Sequence, residues 1–290
     1  MKIILWGLVA LYTFLLPDAI ILYRDIVGYF GSSTAGKVPI IIVAIFGIAY
    51  VVYSLLSKKS WKNLLYVIPC AVIAFFIMRF VPNPNKHIHI PEYVLMAWLL
   101  YWVLSGDYKG KGIFILIFIC GSMLGVVDEL EQGIHPARFY GSSDMLVNCA
   151  SVTIGVFTLM GLKKVIATDW EWTSYLKEFK GLLWLILYGF VGAVFMCFYL
   201  FRVQANEIFW GIYPVWLLGW NVLYLVMTPT MIFFYRGMLR KYHQIPEDEK
   251  GSILRQKVST AQLWIFPLLV ILFYMHALVV YVSISGVNFR

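Results

Sequence analysis

The stretch "GIFILIFICGSMLGVVDELEQ", residues 112–132, begins with a long apolar run and ends in acidic and amide side chains. A helix needs about 20 residues to cross the hydrocarbon of a bilayer. The apolar run ends at Val127 and is therefore too short to cross alone. We expect Asp128, Glu129 and Gln132 to belong to the same helix and to lie at the edge of the hydrocarbon.

The composition of the whole chain is that of a protein that lies in lipid. Apolar residues make up 61% of the 290 residues and charged residues 13%, against about 45–50% and about 25% in soluble domains. In lipid, apolar runs must form helices because the backbone has no water to bond. We predict an all-α, polytopic transmembrane helical bundle with about nine spans. The predicted spans are residues 3–23, 38–56, 64–81, 89–105, 112–131, 144–162, 182–201, 208–235 and 262–283.

The basic residues indicate how these spans are oriented. If the N-terminus lies inside, most of the 23 Lys and Arg residues fall on the cytoplasmic face, as the positive-inside rule requires. We therefore expect the N-terminus in and the C-terminus out, in an integral, multi-pass protein of the cytoplasmic (plasma) membrane. The net charge of +8 then belongs to cytoplasmic loops and does not indicate nucleic acid as a partner. The first span is expected to be retained, because no small-residue cleavage site follows it.

Two other predicted helices carry polar side chains at the depth of residues 128–132, on the outer face. The span that ends at Lys163 reaches back about 20 residues to Asp144, with Asn148 one turn deeper. The span 89–105 has too few apolar residues to cross unless it includes the polar ones at its start. Those polar residues are His89, Glu92 and Tyr93.

Helical periodicity turns these polar groups toward one another. At about 100° per residue, the acidic end of residues 112–132 shares an arc with Gly121 and Gly125, and the next polar helix continues through Ser151 and Gly155. Small residues let membrane helices approach closely. Several ionisable groups at one membrane depth are costly, which favours a functional site. A polar knot that locks helix packing is the alternative.

Four short motifs occur along the chain in the order typical of one family. They are a Lys followed by His-x-x-Glu-Tyr (Lys86 and "HIPEY" at 89–93), Asp-Glu-x-x-Gln ("DELEQ" at 128–132), Pro-x-Arg ("PAR", Pro136 to Arg138) and Asp-x-x-x-Asn-x-x-Gly (Asp144 and Asn148, with Ser151 where Gly is usual). With these motifs the chain resembles the VanZ-like family of integral membrane proteins.

The resemblance implies a domain organisation and a biological setting. It covers residues 35–165, a VanZ-like membrane domain, between a first transmembrane helix in 1–34 and a C-terminal three-helix membrane region in 166–290. The family takes its name from a protein linked to low-level resistance to the glycopeptide teicoplanin. Because that drug acts on cell-wall precursors outside the membrane, the resemblance implies a site on the outer face that handles a cell-envelope substrate.

The polar residues suit an enzyme that acts on a lipid-linked substrate by hydrolysis or group transfer. Neighbouring carboxylates and an imidazole can supply a general acid and base; we assign this catalytic role to His89, Glu92, Asp128 and Glu129. The assigned substrate-binding residues are Lys86, Tyr93, Gln132, Arg138, Asp144 and Asn148, where Arg138 can hold a phosphate bidentately. The expected partners are membrane lipids or lipid-linked precursors, namely phospholipids, polyprenyl phosphates or lipid-linked sugars.

Three alternatives to this assignment stay open. The same residues could bind or transport a lipid headgroup without changing it. The polar residues could be purely structural, with Arg138 paired to the acidic side chains. We predict no resident metal or cofactor, but His89 with Glu92, Asp128 and Glu129 would suit Mg²⁺ or Mn²⁺.

Overall fold

The computed structural model describes residues 2–31, 34, 36–56, 61–81, 83–106, 108, 110–135, 138, 140–163, 176–206, 214–243 and 249–285. Of these residues, 91% are helical and none forms a β-strand, which confirms the predicted all-α class. The helices are α1 (Lys2–Leu15), α2 (Ala19–Phe30), α3 (Val38–Leu56), α4 (Val67–Phe80), α5 (His89–Leu104), α6 (Gly112–Ile134), α7 (Ser142–Leu162), α8 (Lys180–Asn206), α9 (Val215–His243) and α10 (Glu249–Ser285). Short 3-10 helices cover Trp61–Tyr66, Pro84–Ile88 and Leu176–Phe179.

Within the part of the chain that the structure describes, seven helices are long and apolar enough to cross a membrane. They are Val38–Leu56, Asn63–Phe80, Gly112–Ile134, Ser142–Leu162, Leu176–Tyr199, Val215–Gly237 and Val258–Ser285. Each overlaps one of the predicted spans; the start of the span 208–235 lies outside the described residues. A multi-pass membrane protein is the class that these helices indicate, while the number of spans and their orientation stay predictions.

Two of the predicted spans, residues 3–23 and 89–105, do not form a single helix of full crossing length. The predicted first span is two helices, α1 and α2, separated by a turn at residues 16–18. Pro17 explains the break, because it has no N–H to donate to a carbonyl one turn earlier. Helix α5 is continuous but has 16 residues, which is short of a full crossing.

The chain divides into two compact units, and the polar residues of interest lie almost entirely in the first. This unit comprises Met1–Gln132 and Gly141–Thr168. Within it, α5 packs against α1, α3 and α7, and α4 packs against α7. The apolar windows of α6 and α7 are 72% and 61% buried, whereas that of α3 is 11% buried. Helices α6 and α7 are therefore central to the unit, and α3 presents an apolar surface that suits lipid.

Glycine residues make the close packing of the central helices possible. A Cβ added at Gly155 of α7 would lie 2.6 Å from Ala97 Cβ and 3.2 Å from the Val94 carbonyl oxygen of α5. A Cβ at Gly125 of α6 would lie 2.8 Å from Asn148 Cβ of α7. These distances are below ordinary contact, so the helices could not approach this closely with larger residues. The small-residue stripes that the sequence indicated do lie at helix contacts.

The second unit comprises Gly133–Tyr140 and Asp169–Arg290. Its helices α8, α9 and α10 pack against one another in pairs. Aromatic rings fill part of this packing, and Tyr188 of α8 stacks on Trp220 of α9 with ring centroids 4.2 Å apart. The described part of the region 166–290 is thus a set of three mutually packed helices.

Candidate functional site

Polar side chains from α5, α6, α7 and the 3-10 helix Pro84–Ile88 meet inside the first unit. We call this group the polar cluster. Its members are Lys86, His89, Glu92, Tyr93, Asp128, Glu129, Gln132, Asp144 and Asn148. Glu129 and Asn148 have no exposed surface and Asp128 is 1% exposed. Buried carboxylates are rare unless they are paired or functional, so this group needs a physical explanation.

These side chains converge because they lie near the ends of their helices. His89 begins α5, Asp144 lies in the first turn of α7, and residues 128–132 lie in the last two turns of α6. Side chains three or four residues apart share a helix face. The polar residues of each helix therefore form one patch, at the end where that helix leaves its apolar run.

Asp128 links α6 to α5 through one carboxylate oxygen. Its Oδ2 accepts a hydrogen bond from the Tyr93 hydroxyl at 2.9 Å and one from Gln132 Nε2 at 2.8 Å. The other oxygen, Oδ1, is buried and has no hydrogen-bond partner. A buried carboxylate oxygen without a partner is energetically costly, which marks this position as one that structural packing alone does not explain.

Glu129 links α6 to α7 through both of its oxygens. Oε2 accepts from the backbone N–H of Gly141 at 3.0 Å. Oε1 accepts from Gln132 Nε2 at 3.2 Å and from Asn148 Nδ2 at 3.5 Å. Asn148 Nδ2 also donates to the Gly125 carbonyl at 3.2 Å. Glu129 is therefore held in one orientation by two helices and the residue before α7.

The more exposed members of the polar cluster, Lys86 and Glu92, each contact an oppositely charged or titratable group, and the contact of Glu92 with His89 is an ion pair only when His89 is protonated. Lys86 Nζ is 2.6 Å from Asp144 Oδ1 and donates to the Ser143 hydroxyl at 2.8 Å. His89 Nδ1 is 3.0 Å from Glu92 Oε2. The Lys86 side chain is 27% exposed and that of Glu92 is 14% exposed. Lys86 and Glu92 are thus the members that a molecule from outside the unit meets first.

Three of the residues lie close enough together to hold a metal ion. One ligand atom each from His89, Glu129 and Asp144 lies within 4.8 Å of the other two. All three residues are buried, and each belongs to a different helix. The metal alternative raised from the sequence shares His89 and Glu129 with this set but did not include Asp144.

Arg138 is the one assigned site residue that the first unit does not contain. It belongs to Gly133–Tyr140 of the second unit, its side chain is half-buried, and its backbone N–H donates to the His135 carbonyl at 3.1 Å. Pro136 of the same motif lies outside the described residues. The predicted phosphate-binding role of Arg138 stays a prediction.

Three contacts of the polar cluster were not predicted from the sequence. Ser143 bonds Lys86, the Gly141 N–H bonds Glu129, and the Tyr12 hydroxyl donates to the Glu92 carbonyl at 2.9 Å. The "GSSD" run at residues 141–144 was a usable signal, because Gly and Ser are typical of helix starts. Nothing in the pattern of α1 marks Tyr12, since that contact depends on tertiary packing.

No family model, no curated protein and no solved structure matches the chain. The VanZ-like resemblance and the roles implied by it therefore stay predictions, and the chemistry must be argued from the polar cluster itself.

Proposed function

We propose that the protein is a VanZ-like membrane protein whose polar cluster acts on a lipid-linked or cell-envelope substrate at the outer leaflet. The observation that carries this proposal is a set of four carboxylates where three helices meet, of which Asp128, Glu129 and Asp144 are buried and Glu92 is half-buried. If the polar cluster were only a structural network of salt bridges, each of the four carboxylates would have a cation as its partner. The polar cluster contains two basic side chains, Lys86 and His89. An excess of buried acid is more typical of a site than of a packing device.

The position of the polar cluster favours a substrate that is itself part of the membrane. Its residues lie at one end of α5, α6 and α7, beside helices whose apolar surfaces suit lipid. With the N-terminus inside, this end faces outward. A lipid headgroup lies at that depth while its chains stay in the hydrocarbon. Phospholipids, polyprenyl phosphates and lipid-linked sugars are the substrate classes that fit.

Hydrolysis or group transfer at the headgroup is the chemistry that we propose. We assign proton exchange with the substrate to Glu92, the partly exposed partner of the buried His89. Asp128 and Glu129 lie deeper, next to one another on α6, and complete the acidic set. A teicoplanin-type resistance phenotype would follow if the substrate were a cell-wall precursor.

Headgroup binding or transport without reaction is a second candidate function. The observation that favours it is the extent of hydrogen bonding around Glu129, where both oxygens already accept bonds from protein groups. A carboxylate held in this way is suited to positioning more than to proton transfer.

Native mass spectrometry of the full chain, gently purified with its lipids, tests the proposal. We expect a co-purifying phospholipid or polyprenyl phosphate that is lost in Lys86→Ala. Glu92→Gln should trap it at higher occupancy if the protein is an enzyme, and leave its occupancy unchanged if the protein only binds. Glu178→Gln, an exposed acid in the second unit, is the matched control. No specific lipid in any sample would contradict the proposal.

A further inference from the structure

The buried charge of the polar cluster points to a missing positive partner. Glu92, Asp128, Glu129 and Asp144 contribute four carboxylates, and the cations within the polar cluster are Lys86 and, when protonated, His89. Carboxylates in a low-dielectric site are paired with a cation, bind a metal or are neutralised by protonation, or they destabilise the fold. A divalent cation among these carboxylates would supply the balance.

We infer that His89, Glu129 and Asp144 form a binding site for a divalent cation that prefers oxygen ligands and accepts imidazole, with Mn²⁺ as its representative. Their ligand atoms all lie within 4.8 Å of one another. Atoms that bind one such ion at about 2.1 Å stand about 3 to 4 Å apart, so small side-chain movements suffice. Three separate helices supply the ligands, which is how bundle proteins build metal sites.

The amide of Asn148 is an independent indication of a ligand here. Asn148 has no exposed surface, and its Oδ1 is buried without a hydrogen-bond partner. Its Nδ2 must face the Gly125 carbonyl, 3.2 Å away, because exchanging the two amide atoms would set oxygen against oxygen. The unpartnered oxygen therefore belongs to an amide that also contacts Glu129. An amide oxygen is a ligand, direct or through water, that hard divalent cations accept.

Asp128 adds a second oxygen of the same kind. Its Oδ1 is buried and unpartnered, while Oδ2 is held by Tyr93 and Gln132. Asp128 adjoins the proposed ligand Glu129 in the sequence and shares the Gln132 amide with it. A cation nearby, or a water bound to it, would satisfy this oxygen. The ligand set is rich in oxygen and poor in sulfur, which favours Mn²⁺ or Mg²⁺ over a structural zinc.

A cation at this place would deepen the proposed function. Lys86 is already paired with Asp144, so an acidic cluster alone repels an anionic headgroup. A bound divalent cation attracts a phosphate oxygen instead and can polarise it. The link to a phosphate-bearing substrate rests on the proposed function, whereas the cation site itself does not.

The test measures Mn²⁺ binding by the full chain in detergent. A chelator first removes bound metal and is itself removed; Mn²⁺ is then added, and the loss of the free-Mn²⁺ signal in electron paramagnetic resonance reports binding. We expect one bound ion per chain, and binding weakened at least about 10- to 100-fold in Glu129→Gln and in Asp144→Asn. Glu178→Gln is the matched control and should bind as the wild type does. A thermal melt of each variant separates lost binding from lost folding, and either ligand variant suffices if the other unfolds.

The outcomes separate the cation site from the lipid site. Absence of bound Mn²⁺ in the wild type, or equal binding in all variants, would overturn the cation site. Co-purified lipid measured before and after chelation tests the proposed function. Mn²⁺ binding without any co-purified lipid would support the cation site and contradict the lipid-linked substrate. Co-purified lipid in a protein that does not bind Mn²⁺ would support the lipid-linked substrate and contradict the cation site.

Discussion

The two units of this protein each bury polar side chains between helices, but they do so differently. In the second unit, His276 Nδ1 lies 2.5 Å from Asn221 Oδ1, and its Nε2 lies 3.0 Å from the Gly189 carbonyl oxygen. Asn221 Nδ2 in turn donates to the Leu217 carbonyl at 2.6 Å. This group links α8, α9 and α10, contains no carboxylate, and gives each of these side-chain atoms a partner.

The polar cluster of the first unit has the opposite character. It contains four carboxylates, and it leaves Asp128 Oδ1 and Asn148 Oδ1 buried without partners. Natural proteins satisfy their buried polar atoms with few exceptions, and the exceptions concentrate at functional sites. The comparison shows how one chain can contain a structural polar network and a candidate site at similar burial. Net charge distinguishes them, since the second unit also leaves the Tyr224 hydroxyl and Trp220 Nε1 buried without partners.

The largest expected effect is on function and should be confined to the polar cluster. Glu92→Gln removes the accessible carboxylate that pairs with His89, and we expect turnover of the lipid-linked substrate to fall about 100-fold or more. Its melting temperature should stay close to that of the wild type, because the Glu92 side chain is partly exposed. Turnover of Glu178→Gln, measured in parallel, should be normal. A well-folded Glu92→Gln protein with full turnover would remove Glu92 from the catalytic set.

The second expected effect is on stability and belongs to the second unit. His276→Leu leaves Asn221 Oδ1 without its partner, whereas the Gly189 carbonyl keeps its hydrogen bond within α8. We expect a loss of about 1–3 kcal/mol, which is the cost of one orphaned buried group. Thermal unfolding in detergent measures this loss. If His276→Leu still folds, it should retain the co-purified lipid and bind Mn²⁺ as the wild type does. Loss of either ligand at full stability would contradict the purely structural role of the His276 network.

The third effect concerns the close approach of α5 and α7. Gly155→Ala places a methyl group 2.6 Å from Ala97 Cβ and 3.2 Å from the Val94 carbonyl oxygen, so the helices must separate. We expect destabilisation of about 1–2 kcal/mol from this overpacking, measured by thermal unfolding. Gly219→Ala in α9 is the matched control, since an added Cβ there meets nothing within 4 Å. Equal melting of the two variants would mean that the contact is not tight.

The smallest effect tests how far Asp128 depends on its neighbours. Tyr93→Phe removes one of the two hydrogen bonds to Asp128 Oδ2 and keeps the Gln132 bond. A single hydrogen bond contributes about 0.5–1.5 kcal/mol to the free energy of unfolding, so the melting temperature should fall only slightly. A shift of several kcal/mol would indicate that Asp128 has a mainly structural role.

Much of the first unit could be predicted from the sequence because lipid restricts what a chain can do. The length of a crossing helix predicted that Asp128 and Asp144 lie at one level, and the structure brings both into the polar cluster. Helical periodicity predicted contact faces for Gly125 and Gly155, and both glycines lie at close helix contacts. These inferences needed only local rules. The VanZ-like motifs contain the same residues, but the resemblance stays a prediction.

The remaining features depend on tertiary structure or on a single backbone atom. The pairing of Lys86 with Asp144, and the ligand set that Asp144 completes, require the actual placement of α7. The bond from the Gly141 N–H to Glu129 depends on the conformation before α7. Pro17 divided the first predicted span, although a proline near a helix end is often tolerated. His276 is a lone polar residue in an apolar run, and the sequence does not reveal its partners.

The central claim is that the polar cluster is a site and not a packing device. The most direct test makes two measurements on one sample of Asp128→Asn. These are its melting temperature and the amount of lipid-linked substrate that it turns over or retains. The account predicts a melting temperature close to that of the wild type and a loss of turnover or retention. A melting temperature and a function that fall together would contradict it, and would assign the polar cluster to helix packing alone.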